Sequence, residues 1–286
     1  MSDAVFEEHR TLLEGIAYRM CGVHADAEDI VQEVYLRWHA ADRRGIRSPR
    51  SWLVAVCTRL AIDHLKSARV RRETYVGPWL PEPLPDERVD DPATQTSIDE
   101  SVSIALLFAM ESLTPNERAA FLLHDVFGCD FEEVAGILGK SEAACRKLAS
   151  RARLAVRDRR PRFVSSPDEH RALLESFFLA ARAGEMARLK QLLAESVELH
   201  SDGGGVVKTA PSGLCGVDAV AAFFLSIWGD PECDGIRAEP RWFNGRPGML
   251  VFQDDALMAA LSLDVEEGRI SHIYAVRNPV KLARLK

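Results

Sequence analysis

The segment from Asp130 to Arg160 constrains the fold most strongly, because it predicts two short helices joined by a tight turn at Gly139. Asp130 and Glu133 have the spacing of a capping box, which starts a helix. The apolar residues that follow recur at helical intervals and predict one buried face: Phe131, Val134, Ala135 and Leu138. Two helices with a glycine turn between them are typical of a helix-turn-helix.

The second of these helices is predicted to begin at Ser141 and to have two dissimilar faces. Cys145, Leu148 and Ala152 form its apolar face. The other face and the turn before it hold residues that are suited to a DNA major groove: Lys140, Ser141, Glu142, Ala143, Arg146, Lys147, Ser150 and Arg151. Further arginines up to Arg162 would contact phosphates. The alternative interpretation is a solvated basic helix that packs on two others.

The distribution of charge favours a protein that binds nucleic acid, although the chain of 286 residues has a net charge of −7. Basic residues are concentrated in residues 43–72 and 140–162, and acidic residues in residues 26–33 and 86–100. This segregation suits two contacts with DNA and one contact with a basic protein surface. The length predicts two or three domains.

Composition argues against several other classes of protein. No apolar run is long enough to span a bilayer, and the first residues lack the pattern of a secretory signal. We therefore expect a cytoplasmic protein that binds no membrane. The six cysteines occur singly and form no CxxC pair, so we expect no metal site.

Residues 1–73 predict a helical domain. A first helix ends at Gly22, and a second begins near Asp26 and combines acidic residues with an apolar stripe. Acidic residues in a first turn also favour the helix dipole, so a purely structural role for them is an open alternative. Ser48 and Pro49 then predict the start of a third helix, which has an apolar stripe and many basic residues.

The segment that follows contains too much proline for a helix or a central strand. Tyr75, Trp79 and Leu80 are large and apolar, whereas a plain linker would be polar. We therefore interpret residues 74–97 as a linker that docks on another part of the chain.

Two further domains are predicted beyond the linker. Residues 98–162 hold a helix over 98–112, a capping box at Thr114 and the helix-turn-helix. Residues 166–286 begin with a similar cap at Ser166 and then change pattern. Their predicted elements are helices at 168–183, 185–194 and 217–228 and strands at 197–201, 236–243, 249–253, 256–265 and 270–276. Helices followed by an antiparallel sheet are typical of an α+β domain.

Residues 1–160 resemble the extracytoplasmic-function (ECF) sigma factors of bacterial RNA polymerase. The resemblance rests on three motifs in the order and spacing of that family: DAEDIVQEVYLRW, SPRSWLVAVCTRLAIDHLKSARVRR, and LTPNERAAFLL through RKLASRAR. The linker YVGPWLPEP, the loop DGGGVVK and the tail NPVKL resemble the signature of a subgroup that adds a SnoaL-like domain. The resemblance implies a multidomain fold of two all-α sigma domains, a region 2 helical bundle and a region 4 helix-turn-helix, plus a C-terminal α+β NTF2-like cone with a curved sheet.

The resemblance also implies a role for each motif. Residues that would bind the polymerase clamp helices are Asp26, Asp29, Gln32, Glu33, Leu36 and Trp38. Residues that would bind the minus-ten element are Arg59, Asp63, His64, Lys66, Arg69, Arg71 and Arg72. Arg59 would lie in a base-capturing loop, where many members have Asn. The helix-turn-helix would read the minus-thirty-five element. Residues that would connect the domains and regulate activity are Tyr75, Trp79, Leu80, Pro81, Asp202, Gly203, Gly204, Gly205, Lys208, Asn278, Pro279, Lys281 and Leu282.

The partners implied are core RNA polymerase, through its clamp helices and flap, and promoter DNA. No separate anti-sigma factor, cofactor, metal or catalytic residue is predicted, and a ligand of the SnoaL-like domain is unknown. Two alternatives are open. One is a cyclase or hydrolase that uses His200, Asp202, Asp264 and His272 as acid–base groups. The other is a one-component helix-turn-helix regulator with a ligand-sensing tail.

Overall fold

The computed structural model describes residues 2–72, 75–86, 102–157, 166–228 and 235–285. The chain divides into two compact units. The first unit comprises Met1–Thr74 and Ala109–Arg159, and the second comprises Tyr75–Phe108 and Arg160–Lys286. Across the described ranges, no helix combines the length and the apolar character that a membrane crossing requires.

The predicted helices and strands occur in the predicted order, and one further short strand, Leu214–Cys215, lies where the sequence predicts a loop. The helices are α1 (Ser2–Cys21), α2 (His24–Ala40), α3 (Pro49–Arg72), α4 (Ile104–Ala109), α5 (Pro115–Phe121), α6 (Phe131–Leu138), α7 (Glu142–Arg157), α8 (Pro167–Arg182), α9 (Met186–Leu192) and α10 (Val217–Trp228). The strands are β1 (Leu193–Asp202), β2 (Leu214–Cys215), β3 (Ile236–Phe243), β4 (Arg246–Gln253), β5 (Ala256–Glu266) and β6 (Arg269–Val276).

Every regular element described in the first unit is a helix, and α1, α2 and α3 pack around one apolar core. The positions that recur at helical spacing in the sequence are the buried ones, among them Phe6, Leu13, Ile16, Val34 and Leu53. Apolar stripes of this kind must face one another to leave water, so the three helices form a bundle.

The helix-turn-helix forms at the predicted residues, but its first helix fully buries Val134 and Ile137, whereas Phe131, Ala135 and Leu138 of the predicted face are only partly buried. Asp130 and Glu133 make a reciprocal capping box at the start of α6. Gly139 ends α6 in the left-handed region with φ of 62°, a conformation that costs glycine little. Ser141 caps α7, since its Oγ accepts the Ala144 N–H at 3.3 Å.

The second unit contains one six-stranded sheet with the order β2-β1-β6-β5-β4-β3. β1 and β6 are parallel, so the prediction of a wholly antiparallel sheet is wrong for this pair, and the other neighbouring strands are antiparallel. Local pattern does not reveal which way two strands that are distant in the chain run beside each other. One face of the sheet packs on α8, α9 and α10. The other face packs on Leu80 from the linker and on Ile104 and Ala105 from α4. The predicted α+β domain therefore also buries a segment that precedes the helix-turn-helix in the chain.

Two predicted boundaries in this part of the sequence are wrong. The helix predicted over 185–194 ends at Leu192, and β1 begins at Leu193 instead of Val197. Leu193 pairs with Ile270 of β6 across a bulge, and this tertiary pairing overrides local helix propensity. The helix predicted over 98–112 is the short α4 followed by a 3-10 turn to Ser112, and its first four positions lie outside the described residues.

His170 of α8 should make stability depend on pH. Its side chain is buried with 1% exposed, and burial, assisted by the positive charge of Arg246, lowers its pKa to about 4. The unfolded chain binds this proton below pH of about 6.5, so stability is lost as the pH falls from about 6.5 to 4. We expect the unfolding free energy to fall by about 2–3 kcal/mol from this group between pH 7 and 4.5.

Urea unfolding of the intact protein and of His170→Leu at both pH values measures this contribution. The variant should lose less stability on acidification than the intact protein. Equal losses in the two proteins would contradict the assignment to His170.

Candidate nucleic-acid and protein interfaces

One face of α7 and the turn before it expose the basic and polar residues that the sequence analysis predicts to contact DNA. The predicted DNA-contacting residues are all exposed: Lys140, Ser141, Glu142, Ala143, Arg146, Lys147, Ser150 and Arg151. Cys145, Ala149 and Ala152 are buried on the opposite side. The helix therefore presents a continuous basic and polar face while small residues hold it against its neighbours.

Glu142 and Phe131 orient the side chain of Arg146. Its Nη2 donates to Glu142 Oε2 at 2.6 Å, and its guanidinium lies 5.2 Å from the ring centroid of Phe131. Both contacts are exposed and weak enough to be exchanged for a base edge or a phosphate. Lys147, which is also exposed, would add a point charge beside it.

Arg59 is not in a loop, contrary to the sequence-based expectation. It lies within α3, and its guanidinium reaches the carboxyl end of α6. Nε donates to the Ile137 carbonyl at 2.9 Å, and Nη2 donates to the Gly136 carbonyl at 3.1 Å. The last carbonyls of a helix lack partners within the helix, so a cation at this end is favourable. Arg59 therefore connects α3 to the helix-turn-helix.

The other candidates on α3 have different surroundings. Asp63 and Lys66 are exposed and form an ion pair at 2.9 Å. His64 is half-buried, and its Nε2 lies 3.1 Å from Asp26 of α2. A predicted base-contacting residue and a predicted polymerase-contacting residue thus touch each other. Arg69, Arg71 and Arg72 belong to α3, but their side chains lie outside the described residues.

The acidic helix α2 presents most of its candidate residues to solvent. Asp29, Gln32 and Leu36 are exposed, and half-buried Glu33 pairs with Arg37 at 2.8 Å. Trp38 is the exception, because its side chain is only 3% exposed and packs on the Trp52 ring. The ring of Trp38 therefore belongs to the core of this unit, and its contact with polymerase stays a prediction.

The linker is held by a buried carboxylate at the end of β1. Asp202 has no exposed surface and accepts hydrogen bonds from the Tyr75 hydroxyl at 2.5 Å and the Leu80 N–H at 2.9 Å. Lys281 Nζ lies 2.7 Å from Asp202 Oδ2 and donates to the Leu80 carbonyl at 2.5 Å. The same ammonium lies 4.1 Å from the Trp79 ring centroid. We call the three residues that hold this segment, Asp202, Asn278 and Lys281, the linker clamp.

Asn278 of the linker clamp and the neighbouring glycine loop, residues 203–205, also contact the linker. Asn278 Nδ2 donates to the Tyr75 hydroxyl at 3.1 Å. A Cβ on Gly204, which has a φ of 64°, would lie 2.4 Å from that amide, so only glycine fits there. Gly205 lies against Val76, and Gly203 is buried. The loop therefore acts through close approach of its backbone.

The remaining candidates in this region divide into buried and exposed positions. Leu80, Pro81 and Leu282 are buried, whereas Lys208 and Pro279 are exposed. The carbonyl of Lys208 accepts a hydrogen bond from Arg277 at 2.5 Å. The lysine that contacts the linker is thus Lys281, and a role for the Lys208 side chain in this contact is not supported.

Sequence reasoning missed Asn244, which holds the second half of the linker. Its Oδ1 accepts the Leu84 N–H at 2.8 Å, and its own N–H donates to the Leu84 carbonyl at 3.0 Å. Its Nδ2 donates to the Val102 carbonyl at 2.8 Å. The sequence signals only a turn at Asn244 and Gly245, because a local pattern cannot identify a partner more than a hundred positions away.

The second unit also contains a cavity of about 180 Å³ between the sheet and its helices. Leu199, Ser201 and Ala275 line it. Side chains alternate between the faces of a strand, so the proposed acid–base groups at neighbouring positions lie on the other face. His200 contacts Phe108 with ring centroids 4.6 Å apart, and the Tyr274 hydroxyl donates to Asp264 at 3.2 Å. The four acid–base candidates therefore do not converge in the cavity.

Comparisons with known proteins cover nearly the whole chain. The family model described as Sigma-70 region 2 matches residues 5–71, and the model described as Sigma-70, region 4 matches residues 103–156. The ECF RNA polymerase sigma factor SigJ of Mycobacterium tuberculosis is 37% identical over an alignment of 292 positions, which covers 98% of this chain and 93% of that protein. The probable ECF RNA polymerase sigma factor SigI of the same organism is 34% identical over 99% of this chain and 95% of that protein.

A solved structure extends the similarity to the whole fold. The crystal structure of the M. tuberculosis extracytoplasmic function sigma factor SigJ matches with a TM-score of 0.78 at 34% identity, and the match covers 98% of this chain and 97% of that one. The matched length includes both helical parts, the linker and the C-terminal α+β part.

Proposed function

Because the chain belongs to the extracytoplasmic-function family of RNA polymerase sigma factors, we propose that the exposed faces of α2, α3 and α7 are its contacts with core RNA polymerase and promoter DNA. The observation that supports this assignment is the pairing, within one compact unit, of an exposed basic face on α7 with an exposed acidic face on α2. A sigma factor directs transcription initiation, and these two faces have the opposite charges that promoter DNA and a basic polymerase surface require.

Reconstituted transcription with purified components tests this assignment directly. The purified protein mixed with core polymerase should direct initiation from its own promoter in a run-off assay, and core polymerase alone should not. The proposal would be refuted if the purified protein binds core polymerase but directs no transcript from any genomic fragment of its host.

The acidic face of α2 should control assembly with polymerase. Reversing Asp29 and Glu33 to Lys places like charges against a basic partner surface, which costs several kcal/mol at close contact. We expect affinity for core polymerase to fall by a factor of about ten or more, as measured by a pull-down titration. The matched control is Glu7→Lys with Glu8→Lys, which makes the same change of charge on α1. Equal affinities for the two variants would refute this assignment.

Arg146 should read a base in the minus-thirty-five element. Arg146→Ala should cost about 1–3 kcal/mol in promoter binding by the holoenzyme and relax sequence preference at one position. The exposed Arg157, in the last turn of α7, is the matched control, because its loss should weaken binding to all sequences alike. A uniform loss from Arg146→Ala would identify a phosphate contact instead.

We further propose that the SnoaL-like domain regulates the sigma core in cis through the linker. The support is the set of buried contacts between the linker and the linker clamp, in which Asp202 holds both Tyr75 and Leu80. A docked linker restricts how far regions 2 and 4 can separate on a promoter. This internal restraint would make a separate anti-sigma factor unnecessary.

An enzymatic function for the SnoaL-like domain is less well supported. Its acid–base candidates lie on the sheet face that packs on α4 and the linker, and Asp202 is engaged in the linker clamp. The second alternative, a one-component helix-turn-helix regulator, gives no role to the acidic face of α2. We therefore propose that the protein is not an enzyme and acts only through binding.

A further inference from the structure

A π-helical turn, Leu122–Val126, follows α5 and precedes the helix-turn-helix; we call it the π-turn. The Phe127 N–H donates to the Leu122 carbonyl at 2.9 Å, a bond that spans five residues where an α-helix spans four. Turns of this kind are rare and are frequently found at functional sites. The side chains of the π-turn are therefore candidates for a functional role.

Two neighbouring side chains of the π-turn contact the helix-turn-helix. The His124 ring stacks on the ring of Phe131, the first residue of α6, with centroids 3.9 Å apart and an interplanar angle of 27°. The Asp125 carboxylate accepts a hydrogen bond from Arg153 Nε of α7 at 2.7 Å. Adjacent positions of the π-turn therefore join it to both helices of the motif.

The backbone of the loop before α6 fixes the ring of His124. Its Nδ1 lies 2.8 Å from the Cys129 carbonyl. Because a carbonyl oxygen can only accept a hydrogen bond, Nδ1 carries the proton and is the donor. The Cys129 N–H in turn donates to the Leu123 carbonyl of the π-turn at 2.9 Å. The imidazole is therefore held in the orientation that stacks on Phe131.

The Phe131 ring extends this support to Arg146, the base-reading candidate of α7. The guanidinium carbon of Arg146 lies 5.2 Å from the ring centroid. A guanidinium that stacks on a ring through its face keeps its N–H edge for a base, so this contact can persist on DNA while the bond to Glu142 is exchanged. A side chain that is held before binding loses less rotamer freedom, which favours binding by a factor of about 2–10.

We propose that His124 and Phe131 are positioning residues for promoter reading, and that the π-turn sets how strongly α7 discriminates at the base read by Arg146. The inference rests on the proposed base contact of Arg146 and deepens it. Neither ring belongs to α7, and both act through the orientation of the Arg146 guanidinium. Their loss should therefore weaken discrimination at one base and leave the other positions of the minus-thirty-five element unchanged.

Selection of minus-thirty-five elements from a randomised DNA library by the reconstituted holoenzyme, followed by sequencing, measures the preference at each base. His124→Ala and Phe131→Leu should lower the preference at the base read by Arg146 by a factor of about 2–10. Phe131→Tyr keeps an aromatic face and should retain the preference. Glu132→Ala is the matched control, because Glu132 is the next residue of α6 and is exposed, and it should retain the preference as well.

The NMR relaxation of the Arg146 Nε–H group in the intact protein tests positioning without DNA. We expect faster side-chain motion in His124→Ala and Phe131→Leu than in the intact protein and in Phe131→Tyr. A thermal melt of each variant shows whether it is folded, and Phe131→Leu provides the test if His124→Ala is not. Either an unchanged preference or unchanged motion of Arg146 in the folded variants would overturn the proposal.

Arg146→Ala in the same selection distinguishes the positioning role from the base contact. If Arg146→Ala abolishes the preference while His124→Ala and Phe131→Leu keep it, only the positioning role fails. If Arg146→Ala leaves the preference unchanged, the proposed base contact fails and the positioning role fails with it.

Discussion

Replacing Asp202 with Asn should release the linker and lower the unfolding free energy of the second unit by about 3–5 kcal/mol, the usual cost of removing one partner of a buried ion pair. The substitution leaves the Lys281 ammonium, which is 6% exposed, without its carboxylate. It also weakens the hydrogen bonds that Tyr75 and Leu80 donate to Asp202. Urea unfolding measures the loss, and faster hydrogen exchange at the Leu80 amide measures release of the linker.

The double variant Asp202→Asn with Lys281→Met separates the ion pair from the hydrogen bonds. The methionine side chain removes the unpaired charge and keeps a long apolar chain beside Trp79, so the double variant should recover most of the lost stability. Asp218→Asn is the matched single control, because Asp218 is an exposed residue paired with Lys190. A double variant as unstable as Asp202→Asn would show that the pairing of charge is not what holds the linker.

Release of the linker should also change transcription. A free linker allows regions 2 and 4 to separate at lower cost, so we expect Asp202→Asn and Trp79→Ala to raise promoter-directed transcription at limiting core polymerase. A chain ending after Arg162 removes the whole SnoaL-like domain and should differ from the intact protein in the same assay. If these variants transcribe like the intact protein over a range of polymerase concentrations, the domain does not regulate the sigma core in cis.

Replacing Arg59 with Ala should loosen the contact between region 2 and region 4. Arg59 caps the carboxyl end of α6 with two hydrogen bonds. A cavity of about 230 Å³ lies beside this contact between α3 and α6, so apolar packing there is incomplete and the polar contacts matter more. Because Arg59 is exposed, we expect a modest loss of about 1–2 kcal/mol. This loss raises the ratio of molecules in which the contact between α3 and α6 is broken to molecules in which it is formed about 5–30-fold.

Distance measurement between two spin labels tests this expectation. The labels are placed on cysteines introduced at Leu36 of α2 and Leu154 of α7, after Cys215 and Cys233 have been changed to Ser. Arg59→Ala should broaden the distance distribution and shift it to longer values. Arg59→Lys keeps the charge but lacks the planar fork that reaches two carbonyls, so its distribution should be intermediate. Unchanged distributions would mean that Arg59 does not hold the two regions together.

Arg59 should also affect binding to the minus-ten element. Its guanidinium cannot bind the α6 carbonyls and a promoter base at the same time. In the holoenzyme we expect Arg59→Ala to weaken binding of single-stranded minus-ten DNA. The free protein would thus become more open and the holoenzyme less able to hold DNA. If Arg59→Ala lengthens the distance between the labels and leaves the affinity for minus-ten DNA unchanged, Arg59 contacts region 4 but does not bind the promoter.

Local features of the sequence determined the elements and their surfaces. Capping boxes at Thr114, Asp130 and Ser166 start helices as predicted, because each involves residues within one turn. Helical spacing identified the buried and basic faces of α7, since the period of a helix fixes which residues share a face. Glycine at 139 ended α6 for the same local reason.

The tertiary structure alone decided which segments the surfaces meet. The sequence shows that Trp79 and Leu80 need a partner, and the family resemblance includes Asp202 and Lys281 among the residues that would connect the domains. Only the fold shows that these two side chains bind the backbone of Leu80. Burial of Trp38 and the contact of Arg59 with α6 likewise depend on packing between helices that are distant in the chain. Local propensity is set by a few neighbouring residues, whereas a buried polar contact depends on where the remaining chain places its donors and acceptors.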